Sequence, residues 1–273
     1  MHIPWFRTRA RDAASQTRGD QARGPFAQLM HTANAIAEIN PRGLTDLVRA
    51  IVRPYQSDYL LAVAEGGADA RPDFEEKSLF GEEVRRRMFS DIGNYRLVRL
   101  PEDHFQIHLA RDPVLPWPWK HDRYVSALAE IGTAKIDPTD IWNRHHSGAW
   151  RQDSNHRVAL WLPWGIGFVQ GGNHSIAAGI LAGEGVLTPA YVFDMSYLFS
   201  EIYADKEFYR EMGTGRKLGP VLSQRLAALF EIGRLMHEKG FPAFRESIDV
   251  TRSGEASNAG EDQHATALSE LNS

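Results

Sequence analysis

The chain has 273 residues, a formal net charge of −4, 42% apolar residues and 24% charged residues. That length suits one large domain or two small ones around a real core, and the composition excludes a coiled coil, a collagen-like fibre and a wholly disordered chain. With no cysteine present, disulfides, thiolate zinc sites and a cysteine nucleophile are excluded as well. Mean hydropathy is −0.40, and no stretch offers the roughly 18 consecutive apolar residues of a spanning helix. No apolar signal-peptide core is seen near the start, so a soluble, cytoplasmic protein is the expectation.

Residues 1–24 carry Arg7, Arg9, Arg11, Arg18 and Arg23 against Asp12 and Asp20, which predicts a disordered basic arm. Residues 25–93 are expected to be mainly helical. Phe26, Leu29, Met30, Ala33, Ile36 and Ala37 recur at helical spacing, Pro41 ends that run, and Leu44, Leu47, Val48 and Ile51 form a second. A third helix is predicted over 56–65, and another over about 78–91 after a linker rich in Gly, Asp and Pro.

The period changes near residue 94. Tyr95, Leu97, Val98 and Leu100, then Phe105, Ile107 and Leu109, predict two strands broken by Pro101-Glu102-Asp103. Residues 119–131 return to helical spacing with Gly132 as a stop, and 133–155 predict a long polar loop. Val158, Leu160 and Leu162 alternate before Pro163-Trp164-Gly165, and Ile166, Phe168 and Gln170 alternate after it, which predicts a hairpin. A three-residue loop pairs Leu162 with Ile166 and Leu160 with Phe168, and brings His156 opposite Gly172. A short helix and a strand over 189–193 complete a core over 94–200. Residues 201–248 are expected to be helical with interruptions at Gly213, Gly215 and Gly219, and 249–273 to be a disordered tail. The fold class is therefore α+β, a small mixed sheet flanked by N-terminal and C-terminal helices.

One constellation carries chemistry. The strand ending near Gln170 runs into Gly171-Gly172-Asn173-His174-Ser175, and Ile176, Ala177, Ile180 and Leu181 follow at helical spacing. Strand, glycine turn and helix start together favour an anion, because glycines admit close backbone approach and the first helical amides are unpaired at the positive end of the dipole. Asn173 and Ser175 are candidates to cap the helix or donate to phosphate, and His174 to donate or shuttle a proton. Gly-Gly-Asn also suits an ordinary tight turn with Asn173 as the cap. No Gly-x-x-x-x-Gly-Lys-Ser/Thr run is present.

The order apolar strand, Gly-Gly-x-His-x, helix resembles the phosphate-binding signature of the ParB and sulfiredoxin superfamily, whose sulfiredoxins read Gly-Gly-Cys-His-Arg. Asp112-Pro113-Val114-Leu115-Pro116-Trp117-Pro118-Trp119 and the helix after it are similar to the extended segment and helix that precede that signature. The Leu115–Trp119 and Gly171–Ser175 runs also resemble those of an uncharacterised bacterial domain family. The resemblance implies a small nucleotide-binding fold over residues 94–195, whose turn cradles the phosphates of ATP or CTP. If a reaction follows binding there, phosphoryl transfer or hydrolysis with Mg²⁺ is the expected class. Asn173 stands where sulfiredoxins carry their reactive Cys, and Ser175 where the family carries Arg. Sulfinic acid reduction is excluded, and Arg157, Arg151 or Arg111 is left to supply a guanidinium from another element.

Other constellations compete. His145, His146, His156 and His174, with Asp153, suit a metal-dependent hydrolase using His156, His174 and Asp153, although no helical metal-ligand spacing is present. Trp117 and Trp119, alternating with proline in a stiff extended segment, are candidates for a pocket wall, whereas Trp161 is assigned to packing. A non-catalytic regulator that contacts DNA or a protein partner is the remaining alternative. The basic arm and Arg85-Arg86-Arg87 are its only basic clusters, against a net charge of −4.

Overall fold

A computed structural model describes residues 24–72, 78–88, 98–136, 139 and 148–240. The basic arm up to residue 23, the tail at 249–273, and Tyr95, Leu97, Trp142, His145 and His146 lie outside the described residues. The described chain is mixed α+β, as expected. Helix α1 (Pro25–Ile39) starts with proline at its first turn, where a missing N–H costs nothing. A 3₁₀ turn over Pro41–Gly43 leads into α2 (Leu44–Gly66). Two helices were expected over this second stretch, but α2 runs unbroken through Pro54. Val48, Ile51, Val52, Gln56, Tyr59, Leu60 and Val63 form one buried stripe on both sides of the proline, and that burial outweighs the lost helical hydrogen bond.

Next come α3 (Glu82–Met88), β1 (Val98–Leu100), β2 (Ile107–His108), β3 (Val114–Leu115) and α4 (His121–Glu130). The hairpin β4 (Arg157–Leu162) and β5 (Ile166–Gly171) is followed by α5 (Asn173–Ala182), β6 (Val186–Leu187), β7 (Tyr191–Asp194) and α6 (Leu198–Glu201). The chain then forms β8 (Ile202–Ala204), β9 (Phe208–Glu211), β10 (Lys217–Pro220) and α7 (Gln224–Glu238). The expected all-helical stretch from 201 is thus an antiparallel three-stranded meander, with one helix after it. Asp205 turns the first corner by accepting from the Glu207 and Phe208 amides, both at 2.7 Å, and Gly213 and Gly215 make the second with positive φ.

The main sheet has five strands in the order β1-β7-β4-β5-β3, with β4 at its centre. β4 is antiparallel to β5 and parallel to β7. The two strands expected at 94–109 separate: β1 joins the edge of this sheet, and β2 pairs with β6 in a ladder of its own.

The hairpin register is one residue off the expected one. Trp161 pairs with Ile166, Leu160 with Gly167 and Ala159 with Phe168, so the turn holds four residues and includes a cis Leu162–Pro163 bond. A bulge between Arg157 and Val158 restores the expected pairing at the far end, where Arg157 meets Gly171. Large apolar residues consequently fill both faces. Val158, Leu160 and Leu162 join a core with Ile176, Val192 and Trp150, while Trp161, Ile166 and Phe168 join a second core with α1, α2 and α7.

Trp164, in the hairpin turn, enters that second core fully. Its indole Nε1 donates to the Leu229 carbonyl of α7 at 2.8 Å, and its ring packs against Phe80, Phe199 and Phe230. Gly233 of α7 makes the approach possible, since a Cβ there would sit 2.2 Å from the indole nitrogen. In an isolated helix Gly→Ala stabilises by about 1 kcal/mol. Here the sign reverses. Gly233→Ala is expected to destabilise the protein by about 1–3 kcal/mol through overpacking, read as a lower midpoint in urea unfolding; an unchanged or raised midpoint would contradict this packing.

Candidate functional site

The glycine turn sits at the end of β5, as the sequence predicts. Gly172 adopts φ 75° and ψ 22°, the left-handed region, and α5 begins at the next residue. Any other residue here would be strained, and its Cβ would come within 2.3 Å of the His156 ring. The first intrahelical hydrogen bond runs from the Ile176 amide to the Gly172 carbonyl at 2.9 Å. The amides of Asn173, His174 and Ser175 precede it, no side chain caps them, and they have no acceptor among the described residues.

The side chains of the turn do different work from that expected. Asn173 does not cap its helix; its Oδ1 accepts from the Trp117 amide at 2.7 Å and so holds the Trp-Pro-Trp segment against the turn. His174 Nε2 accepts from the Lys120 amide at 3.1 Å, which leaves its proton on Nδ1. Burial pushes the His174 pKa down, and Arg123 and Lys120 add to the shift by repulsion. A neutral imidazole whose lone pair is already engaged is a donor, not a base. Ser175 contributes its carbonyl, which accepts from Trp150 Nε1 at 2.9 Å.

Both tryptophans of the extended segment reach the turn. Trp117 is half-buried, donates from Nε1 to the Ala70 carbonyl at 2.7 Å, and carries the Arg71 guanidinium over its ring at 4.7 Å. Trp119 is 40% exposed and stands edge-on to His174 at 5.7 Å. Of the two tryptophans, Trp119 is the more exposed.

His156 lies beneath Gly172 and is buried. Its Nδ1 accepts from the Asp153 amide at 2.8 Å, and its ring packs on Trp150 at 4.8 Å. The Asp153 carboxylate lies 3.2 Å from the same nitrogen, but that nitrogen is an acceptor, and Asp153 Oδ1 receives the Asn155 amide. Desolvation outweighs the carboxylate and lowers the His156 pKa. His156 is therefore a neutral strut. Arg157, its neighbour on the strand, points elsewhere: its guanidinium donates to the Tyr191 hydroxyl and stacks over that ring at 5.5 Å.

Asp153 lies beside His156, but His174 does not join them in a three-ligand group. Among the described residues no group of three His, Asp or Glu side chains could hold a metal ion, and both imidazole lone pairs face backbone amides. Arg85, Arg86 and Arg87 are each paired with Glu82 or Glu83 along α3, and Glu82 is drawn down to about 2 by Arg85 and Arg86. The cations near the turn are instead Lys120 and Arg123, which the sequence reading missed. Both are exposed, and neither has a carboxylate partner among the described residues. Their only signal in the sequence was their place just after Trp119, on a helix start that had to pack beside the turn.

Residues 8–243 match the family of unknown function DUF6710. The chain belongs to that family. The DUF6710 match spans every element from α1 to α7, including the glycine turn and the Trp-Pro-Trp segment that folds onto it. DUF6710 membership carries no assignment to the ParB and sulfiredoxin superfamily. No curated protein and no solved structure matches the chain. No described helix is long and apolar enough to cross a membrane.

The depressed histidines make stability pH-dependent. Both have folded pKa values below the ordinary 6.5, so the unfolded chain binds protons first as pH falls. Their stabilising contribution is complete above about pH 6.5 and is lost as pH drops through the folded values. Unfolding midpoints are expected to fall below that pH, with a shallower fall in His156→Gln; an NMR titration of His156 at or above 6.5 would contradict the assignment.

Proposed function

We propose that this DUF6710 protein binds a phosphorylated small molecule, with a nucleotide as the leading class, at the start of α5. The observation that carries the reading is the convergence of three unpaired helix-start amides with Lys120 and Arg123 beside an exposed Trp119. Amides and dipole suit phosphate oxygens, the two cations supply the charge that the missing family arginine would have supplied, and the exposed Trp119 ring is the aromatic on which a base would stack. His174 donates from Nδ1, and the Asn173 amide group is free to donate from Nδ2. The likeness of Gly171–Ser175 to the ParB and sulfiredoxin signature supports the same ligand, and placement in that superfamily is part of the proposal.

Binding without turnover fits the geometry best. His174 has no free lone pair for general base work, and Ser175 stands where an arginine would contact the transferred phosphoryl group. The described residues offer no carboxylate cluster, so Mg²⁺ would be carried by ATP or CTP phosphates. A DNA-binding regulator is less favoured, because the three arginines of α3 already have carboxylate partners.

Nucleotides and inorganic phosphate, titrated by calorimetry, test the reading. Lys120→Ala and Arg123→Ala are surface changes and are each expected to weaken nucleotide binding about tenfold, the worth of a charge-assisted contact. Trp119→Ala is expected to cost nucleotides about 1–3 kcal/mol while sparing inorganic phosphate. Absence of binding by the whole panel, or binding indifferent to the Lys120 and Arg123 changes together, overturns the proposal.

A further inference from the structure

Two residues at the start of α5 hold residues 117–120 by acceptor atoms, and only one of the two titrates. Asn173 Oδ1 takes the Trp117 amide at 2.7 Å, and His174 Nε2 takes the Lys120 amide at 3.1 Å. The same segment has two further ties, both to the loop after α2. Trp117 Nε1 donates to the Ala70 carbonyl at 2.7 Å, and the Asp69 amide donates to the Trp119 carbonyl at 3.0 Å. Amides, carbonyls and an indole make three of these four bonds and are indifferent to pH. The fourth depends on an imidazole lone pair.

Protonation of His174 destroys that bond. The added proton sits on Nε2, where the Lys120 N–H already points, and two donors then face each other. The segment keeps its three other ties, so the ring is what must give way. His174 has room to do so, being half-buried with no acceptor at Nδ1 among the described residues. His156, whose Nδ1 likewise takes a backbone amide, is buried beneath Gly172 against Trp150 and has no such freedom. The charges that act on the His174 ring are Arg123 from α4 and Lys120 from the segment, and no carboxylate among the described residues opposes them. Burial, with that repulsion added, favours the neutral ring, and a bound anion would offset the repulsion.

We propose that His174 is a proton-operated latch on the site: neutral, it docks on the Lys120 amide, and protonated, it swings out to add a third cation beside Lys120 and Arg123. The docking half stands on the hydrogen bond alone, whereas the ligand half rests on the phosphate reading of the same turn. Anion and proton then bind cooperatively, each tightening the other by the same factor. The latch opens on the acid side of about pH 6.5, the ordinary imidazole value, and a bound phosphate ligand moves the opening toward neutrality.

Docking is tested on the full chain, labelled with nitrogen-15 and without ligand. At about pH 8 an NMR coupling across the N–H···N bond between Lys120 and His174 is expected, together with slow exchange of the Lys120 amide. Both are expected to vanish as the His174 ring titrates, while the Trp117 amide stays protected. His174→Gln places a non-titrating oxygen near the position of Nε2 and is expected to keep Lys120 protected at every pH. Three results overturn the latch: a Lys120 bond that survives charging of the ring, the same loss in His174→Gln, or simultaneous loss at Trp117. The wild-type spectra alone decide if that variant does not fold. Calorimetry with ATP, CTP and inorganic phosphate tests the coupling, the ligand's own titration being common to both proteins. Between about pH 7.5 and 5.5 the wild type is expected to gain about tenfold in affinity over His174→Gln, as for one charge-assisted contact. Equal pH dependence in the two proteins overturns the coupling, whereas absence of binding at every pH overturns the phosphate reading and leaves docking to the spectra.

Discussion

From Val158 to Leu162 and from Ile166 to Phe168 the β4–β5 hairpin is buried on both faces, and the rest of the molecule is arranged around that constraint. From Val158 to Leu162 every residue of β4 is buried, with alternate side chains entering two different cores. A strand of this kind needs a layer on each side. Helices α1, α2 and α7 supply one, and α5 with the β2–β6 ladder supplies the other. The main sheet then widens by adding β7 in parallel to β4 and β3 in parallel to β5, so that both central strands are covered at their edges too.

A hairpin so enclosed meets ligands at its ends, and the glycine turn lies at one of them. At one end Trp164 is driven into the helical layer against Gly233. At the other end β5 must pass directly into α5, and His156 beneath the chain leaves room only for glycine. The same burial that fixes the turn keeps His156 and His174 neutral, because desolvation disfavours their charged forms. Positive charge at that end therefore comes from Lys120 and Arg123, which stay exposed just before and in the first turn of α4.

Local pattern made much of this legible. Helical spacing located α1, α4 and α5, and the glycine turn was found where strand period gives way to helix period. The meander after residue 201 was missed because its strands are short, at three or four residues each, too brief for alternation to outweigh a run of helix-compatible residues. Its glycines looked like breaks in a helix, whereas Gly213 and Gly215 are the corner of a hairpin. The hairpin register was missed by one residue because alternation alone rewards a single apolar face, and β4 has two.

The sequence by itself determined the mixed α+β class, the glycine turn and the helix that follows it, since each rests on contacts between near neighbours in the chain. Only the tertiary structure decided what the turn's side chains do. Asn173 reaches Trp117 and His174 reaches Lys120, across separations of 56 and 54 residues that no local pattern encodes, whereas the hairpin pattern already set His156 opposite Gly172. The pairing of Arg49 with Asp112 was equally hidden, because the residues stand 63 apart and meet only when α2 packs across the end of the sheet. Hydrogen-bonding capacity is written in each residue, but which partner consumes it depends on the chain folding back, and that choice separates a free donor from a spent one.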